Sequence, residues 1–140
     1  MTRIVAPRRE SPDPTRLLTH ASRLAGPALR TFFRIADAWQ LSGDEARTLL
    51  GSPPRSTFYA WKKAGQGQLD RDTLERVSYV LGIYKALQIL LPDPAAADAW
   101  VRKPNTAPLF GGQPALQRML SGNVADLYVV RQYLDGWRGG

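Results

Sequence analysis

Cysteine is absent from this 140-residue chain, and histidine occurs once, at His20. Without thiols the chain forms neither disulfides nor thiolate metal sites, which fits a reducing compartment. A lone histidine with no cysteine to activate provides no nucleophile–base pair, so we expect no catalysis from it. Apolar runs of the length that crosses a bilayer are also missing, as is the apolar core of a signal peptide. We therefore expect a cytoplasmic protein.

The acidic residues give no better indication of an enzyme. Asp70, Asp72 and Glu75 lie together, but they fall at the predicted start of a helix, where the helix dipole accounts for them. The other carboxylates considered are too scattered for a metal site, namely Asp98, Asp126 and Asp135. The glycine-rich stretches lack the Gly-Lys-Ser/Thr pattern of a phosphate-binding loop. We expect no catalytic residue, no metal and no cofactor.

Positive charge is in excess and is unevenly distributed. The net charge is +7, and residues 1–30 contribute +4 of it through six arginines against Glu10 and Asp13. Such an excess favours polyanionic partners, because each phosphate that is neutralised releases condensed counterions. Residues 1–25 combine arginine with proline and are predicted to form a flexible basic arm that adds non-specific affinity for DNA.

Helical periodicity runs through the rest of the chain and predicts an all-α fold. A helix is expected to begin at Pro27 and to carry an apolar stripe of Leu29, Phe32, Phe33, Ala36 and Trp39. Ser42 and Glu45 have the spacing of a capping box for a second, short helix, which Gly51 is expected to end in the left-handed C′ position. Ser52 is then expected to cap a third helix, with two prolines in its first turn.

A long helix is predicted next, from its cap at Asp70 to Leu91, where Pro92 stops it. Its apolar residues form two rows. One row consists of Leu74, Val77, Leu81 and Tyr84, and the other of Val80, Ile83, Leu87 and Leu90. A helix that is apolar on two sides is usually buried between layers, so this one is predicted to join an N-terminal helical unit to a C-terminal one. A short helix, a loop and a second short helix are expected over 93–101, 102–113 and 114–121. Asn123 is expected to cap the last helix.

Residues 41–64 have the pattern of a helix-turn-helix, because two short helices meet at a tight glycine turn and the second is basic. Phe58 and Trp61 lie one turn apart in the second helix and are expected to face the core. The side chains left for DNA are Arg55, Ser56, Thr57, Tyr59, Lys62 and Lys63. Arg55 is the best candidate for a bidentate contact with guanine, and the lysines supply charge for phosphates.

Four segments follow one another along the chain: LSGDEARTLLG, STFYAWKK, LDRDTLERVSYVLGIYKALQILL and PNTAPLFGGQPALQRMLSGNVADLYVVRQYLDGWRGG. Their order resembles the Xre/MbcA/ParS antitoxins, which pair with RES-domain toxins that consume NAD. The resemblance covers roughly residues 28–138, and the last segment is its most specific part. One spacing departs from the usual helix-turn-helix pattern, because Gly51 and Trp61 are one residue further apart, which predicts a longer turn or a shifted helix.

The resemblance implies two roles for two parts of the chain. Residues 26–85 would form the DNA-binding domain that recognises the operator of its own operon, in a homodimer because paired half-sites need two recognition helices. Residues 86–140 would bind the toxin, and the last helix or tail would obstruct its active site. The contacts implied are Arg131, Tyr133, Trp137, Arg138, Gly139 and Gly140. We further expect the guanidinium of Arg138 to occupy space meant for the phosphates of a nucleotide.

Two other functions fit the same residues. A stand-alone transcriptional regulator would use the C-terminal segment only for dimerisation, whereas a pure protein inhibitor would have lost DNA binding. The basic face from Arg55 to Lys63 argues against the second of these. Nothing intrinsic to the residues separates an antitoxin from a stand-alone regulator, so that choice depends on the resemblance. An adjacent reading frame for a RES-type toxin would discriminate between them.

Overall fold

The computed structural model describes the backbone of residues 14–139 and the side chains of residues 25–139. This part of the chain is helical, which confirms the predicted all-α fold. No described helix has the length and apolar character needed to cross a membrane. The described helices are α1 (Pro14–Ala38), α2 (Gly43–Leu49), α3 (Arg55–Ala64), α4 (Arg71–Leu90), α5 (Pro94–Ala99), a 3-10 turn (Trp100–Arg102), α6 (Ala115–Met119) and α7 (Val124–Trp137).

The caps of α2 and α4 form as the sequence predicts. Ser42 Oγ accepts a hydrogen bond from the amide of Glu45 at 3.0 Å, and the Glu45 carboxylate accepts one from the amide of Ser42 at 2.9 Å. The Asp70 carboxylate accepts one from the amide of Thr73 at 2.8 Å. Because these amides stabilise the ionised carboxylates, the pKa values of Glu45 and Asp70 lie below their usual range.

The start of α1 differs from the prediction, because the helix begins at Pro14 and Pro27 lies inside it. A proline within a helix removes one backbone hydrogen bond and costs about 3 kcal/mol. Ala25 and Leu29, on either side of Pro27, are both fully buried, so packing of this segment in the core offsets that cost. The predicted arm of residues 1–25 therefore overlaps α1, and its part before Pro14 lies outside the described residues.

Ser52 belongs to the turn that follows α2 and does not cap α3, contrary to the prediction. Its amide donates to the carbonyl of Arg47 at 2.9 Å, and the amide of Gly51 donates to the carbonyl of Thr48 at 3.0 Å. These two hydrogen bonds make a Schellman motif, with Gly51 at φ +91° and Ser52 at φ +58°. The left-handed position predicted for Gly51 is confirmed. The backbone of Ser52 takes part in this motif and does not cap α3. Pro54 occupies the N-cap position of α3 and makes no side-chain capping hydrogen bond.

The cap of α7 is also built from other residues than predicted. Asn123 occupies the N-cap position, but its side chain makes no capping hydrogen bond. Ser121 Oγ accepts from the amide of Asn123 at 3.0 Å and donates to Asp126 at 2.6 Å. Asp126 also pairs with Arg118 at 3.0 Å. The hydrogen bond from Ser121, followed by the charge of Arg118, holds the pKa of Asp126 below its usual range.

Helix α4 lies at the centre of the fold, as its two apolar rows predict. It packs against both α1 and α7, and its buried apolar side chains are Val77, Val80, Ile83, Ala86 and Leu87. Burial of one large aliphatic side chain contributes about 1.5–3 kcal/mol to folding. Because α4 provides side chains for both contacts, the N-terminal and C-terminal helices share one hydrophobic core.

Arg102 ties the C-terminal half of the fold to the first two helices. Its Nε donates to the carbonyl of Trp39 at 2.8 Å, and a terminal nitrogen donates to the carbonyl of Gln40 at 2.6 Å. The same nitrogen pairs with the Glu45 carboxylate at 3.0 Å. One guanidinium therefore satisfies the backbone after α1 and contacts the capping box of α2.

We expect the substitution Arg102→Met to lower the free energy of unfolding by about 2 kcal/mol, because two carbonyls lose a charged donor while methionine keeps the apolar stem. Urea unfolding followed by circular dichroism measures the change. Lys103→Met is the matched control, since Lys103 is exposed and a surface substitution of this kind stays within about 0.5 kcal/mol. Equal losses in the two variants would contradict the role given to Arg102.

Candidate functional site

The inner face of α3 is anchored in the core by aromatic side chains. Phe58 is 1% exposed and meets Phe33 of α1 edge to face, with ring centroids 5.5 Å apart. Trp61 is half-buried and packs against the same core. The chain passes so close to this indole at Gly67 that a Cβ there would collide with the ring. The prediction that Phe58 and Trp61 face inward is confirmed, and it fixes which side of α3 meets solvent.

The outer face of α3 carries most of the residues predicted to contact DNA. Five of the six are exposed, and they are Arg55, Ser56, Tyr59, Lys62 and Lys63. Residues spaced by four, seven and eight positions share one helix face, which places Arg55, Tyr59 and both lysines side by side. These five residues form a solvent-exposed basic surface, called here the α3 face, on which the Tyr59 side chain is 49% exposed.

Thr57 is not part of the α3 face. It is half-buried and lines a cavity of about 290 Å³ between the α2–α3 turn and the start of α4. Pro53 and Asp70 line the same cavity. The sequence groups Thr57 with the DNA-contacting residues because of its place at the helix start, but the helical rotation turns its side chain towards α4.

Two contacts between α2 and α3 were not predicted from the sequence. Arg55 Nη1 lies 2.8 Å from a carboxylate oxygen of Asp44, and both side chains are largely exposed. The hydroxyl of Tyr59 lies against Gly43, so that a Cβ at that glycine would be 2.7 Å from the oxygen. No periodicity in the sequence signals these contacts, because they depend on how the two helices are placed. The first turn of α2 therefore borders the α3 face.

Gly51, in the turn between α2 and α3, is required both by its backbone and by its neighbours. Its φ of +91° is a conformation that L side chains rarely adopt, and a Cβ there would meet the Arg76 Nε at 3.1 Å. Arg76 is held in place by Asp72 at 2.9 Å and by the carbonyl of Gly122 at 2.9 Å. The turn consequently packs on an ion pair that also reaches the loop before α7.

The inner face of α7 closes the core, and Tyr133 takes part in it. Leu127, Val130 and Leu134 are fully buried. The Tyr133 ring stacks on Trp100 with centroids 6.4 Å apart and meets Phe110 edge to face at 5.2 Å. The structure thus holds Tyr133, one of the predicted toxin contacts, in an aromatic cluster inside the domain.

The Arg131 side chain also packs against other residues of the chain. Its guanidinium lies directly over Gly82 of α4, where a Cβ would collide with it. Its Nε lies 3.3 Å from the Asp135 carboxylate, an i, i+4 ion pair. About a third of the side chain remains exposed, so Arg131 fills the groove between α4 and α7 more than it projects from it.

Trp137 and the tail after it are the exposed part of the predicted toxin contacts. Trp137 continues the buried row of α7 by one turn, but it is 50% exposed because the core ends before it. Arg138 is exposed and approaches Asp135 at 3.9 Å, a weak contact. Gly139 is exposed at φ +83°, and Gly140 lies outside the described residues. An aromatic side chain left half-exposed in the register of a core is suited to an interface.

Tyr128 is a further exposed aromatic residue of α7, outside the set of predicted toxin contacts. It is 44% exposed and meets Tyr79 of α4 edge to face with centroids 5.7 Å apart. Gln132 hydrogen-bonds to its hydroxyl. The sequence signal for Tyr128 is its position outside the apolar row of α7, because an aromatic residue on the outer side of the helix does not contribute to the core.

The described residues contain no group of three or more histidine, cysteine or carboxylate side chains that could hold a metal ion. His20 lies in α1, outside the described side chains. The acidic residues at the start of α4 serve the fold, because Asp70 caps the helix and Asp72 pairs with Arg76.

Comparison with known proteins gives a consistent result over most of the chain. Residues 19–82 match the antitoxin Xre-like helix-turn-helix domain, and residues 86–140 match the antitoxin Xre/MbcA/ParS C-terminal toxin-binding domain. The uncharacterized protein y4oB of Sinorhizobium fredii is 57% identical over 112 residues, which are 80% of this chain and 84% of that protein. The first match contains the α3 face, and the second contains the exposed end of α7.

We expect the substitution Gly51→Ala to lower the free energy of unfolding by about 1–2 kcal/mol from left-handed backbone strain. A further loss is expected because the new methyl group displaces Arg76. Gly122→Ala is the matched control, since Gly122 has φ +93° and nothing within 4 Å of an added Cβ. Urea unfolding should therefore give a lower free energy of unfolding for Gly51→Ala than for Gly122→Ala. The reverse order would contradict the packing of Gly51 against Arg76.

Proposed function

This chain belongs to the Xre/MbcA/ParS family of antitoxins, and on that premise we propose that it binds its own operator DNA and inhibits a RES-domain toxin that degrades NAD. The observation that carries the proposal is that the chain has two separate exposed surfaces, the α3 face and the end of α7. In the sequence, one precedes the buried helix α4 and the other follows it. Both surfaces carry side chains that the core does not use.

The α3 face supports binding to operator DNA. Arg55 offers the planar donors that recognise guanine, and Lys62 and Lys63 offer charge for phosphates. All three are exposed, while the burial of Phe58 holds the helix in a fixed orientation. A rigid, exposed and basic second helix is what the major groove accommodates. Binding to the operator would repress the operon and bring the protein to the nucleoid.

The end of α7 supports inhibition of the toxin. Trp137 is a half-exposed aromatic anchor, and it is followed by exposed Arg138 and by Gly139, which has no side chain. Tryptophan and arginine are enriched among the interface residues that contribute most to binding. In the complex the tail would enter the active site of the toxin, where the Arg138 guanidinium would take the place of nucleotide phosphates. Tyr133 and Arg131 would support this segment from inside.

Further parts of the proposal concern organisation. Residues 26–85 act as the DNA-binding domain and residues 86–140 as the toxin-binding domain, and the basic residues before Pro14 add non-specific affinity for DNA. The protein works in the cytoplasm as a homodimer, since paired operator half-sites need two recognition helices. It performs no catalysis itself, and no cofactor or metal enters its function.

A stand-alone transcriptional regulator is the alternative, in which the exposed Trp137 would meet a second copy of the chain. The match of residues 86–140 to a toxin-binding domain favours the antitoxin. Co-expression with the product of the neighbouring gene, followed by co-purification and an NAD assay, distinguishes the two. A stable complex in which NAD consumption is suppressed supports the antitoxin, and a dimer with no such partner supports the regulator.

Charge reversal on the α3 face, by Arg55→Glu with Lys63→Glu, is expected to weaken binding to the chain's own upstream DNA by at least about tenfold. One bidentate base contact contributes about 1–3 kcal/mol of discrimination, and a lost phosphate contact reduces the dependence on salt. A gel-shift assay at several salt concentrations measures both effects. Neutralisation of the toxin in growth tests is expected to survive, because α7 is unchanged.

The matched control reverses two exposed lysines outside α3, by Lys85→Glu with Lys103→Glu, which changes the net charge equally. It is expected to weaken DNA binding far less. Loss of neutralisation in the folded α3 variant would show that the two roles are not separate, and unchanged DNA binding would show that α3 is not the recognition helix.

Removal of residues 137–140 is expected to release the NAD-consuming activity of the toxin and to leave DNA binding largely intact. The deletion removes a half-exposed indole and the two hydrogen bonds that the amides of Arg138 and Gly139 donate to the carbonyls of Leu134 and Gly136. None of the buried side chains of α7 is removed. An NAD assay on the co-purified proteins measures the release.

A milder pair of variants tests the same point without shortening the chain. Trp137→Ala is expected to weaken inhibition, whereas Ile89→Ala removes a similarly exposed apolar side chain, 53% exposed on α4, and is expected to leave it unchanged. Full inhibition by the shortened chain would rule out the tail as the obstructing element.

A further inference from the structure

The ion pair between Asp44 and Arg55 joins the first turn of α2 to the first residue of α3. The two charged atoms are 2.8 Å apart, and the side chains are 66% and 62% exposed, respectively. One turn further along α3, the Tyr59 hydroxyl lies against Gly43. The first turn of α2 therefore contacts two side chains of the α3 face and leaves both accessible to a ligand.

The pair is not needed to hold the two helices together. An exposed ion pair contributes little to stability, since water and salt screen it. The start of α2 is fixed by the capping box of Ser42 and Glu45, and α3 is fixed by the burial of Phe58. What Asp44 does change is the direction of the Arg55 guanidinium and the net charge around it.

We propose that Asp44 is a specificity-determining residue for DNA, which positions the Arg55 guanidinium for one base contact and opposes its use as a general phosphate contact. The inference rests on the proposed binding of operator DNA by the α3 face. Asp44 acts through Arg55 and is a positioning residue.

Positioning follows from the geometry of the guanidinium. A free arginine side chain samples many rotamers and meets phosphates along any DNA, which gives affinity without sequence preference. One nitrogen paired with a carboxylate favours one direction of the side chain and leaves its other donors free for a bidentate contact with guanine.

Discrimination follows from the charge of Asp44. On a DNA where Arg55 finds no guanine, the carboxylate lies beside the phosphates without a compensating base contact, and like charges repel. Asp44 therefore weakens binding to the wrong sequence more than to the right one.

The experiment compares Asp44→Asn with the wild-type chain on two DNA fragments of equal length and base composition. One fragment is the DNA upstream of the chain's own reading frame, and the other comes from within that reading frame. We expect Asp44→Asn to bind the second fragment more tightly and to lower the ratio of the two affinities about tenfold. Circular dichroism confirms that the variant is folded.

Two further variants separate positioning from a general effect of charge. Asp37→Asn removes one exposed carboxylate from α1 and is expected to leave the ratio unchanged. Asp44→Asn in the background of Arg55→Gln is expected to leave the ratio of that background unchanged, because Asp44 has no guanidinium left to position.

The outcomes distinguish this inference from the proposed function. A wild-type chain that binds both fragments equally overturns operator recognition and the inference together. A wild-type preference that Asp44→Asn retains in full overturns the inference alone. A loss of preference that is equally large in the Arg55→Gln background also overturns it, since Asp44 would then act without Arg55.

Discussion

The burial of α4 is the interaction on which the rest of the structure depends. Val80, Ile83 and Leu87 have no exposure to solvent, and the helix packs against both α1 and α7. Removal of this apolar surface from water stabilises the fold only when both neighbours are present. The helix-turn-helix and toxin-binding matches meet between residues 82 and 86, inside this helix, but the two parts share one core and support each other.

Polar contacts reinforce this shared core where the two halves meet. Arg102 reaches from the end of the 3-10 turn to the carbonyls after α1, and Arg76 reaches from α4 to the carbonyl of Gly122 before α7. Each guanidinium satisfies backbone carbonyls that lie outside helical hydrogen bonding. The α3 face and the exposed end of α7 lie at the edges of the fold, and neither the core nor these arginines use their exposed side chains.

The residues predicted to bind a partner are divided by the structure according to what the core needs. Tyr133 is of a residue type that is common at interfaces, yet its ring packs against Trp100 and Phe110 of the same chain. Thr57 was grouped with the α3 face, yet it turns towards the start of α4. Sequence spacing gives the face of a helix, and residues at the border of a face turn to whichever side has a partner. Trp137 shows the converse, because it continues a buried row beyond the end of the core.

Local chemistry in the sequence determined the all-α fold, the capping box at Ser42, the end of α2 at Gly51 and the burial of Phe58, because each depends on residues within one or two helical turns. Tertiary structure decided the features that join distant residues. Core packing on both sides of Pro27 allows α1 to continue through a proline, and the placement of α2 against α3 sets Asp44 beside Arg55. These contacts have no periodic signal, since the energy that selects them comes from surfaces far apart in the chain.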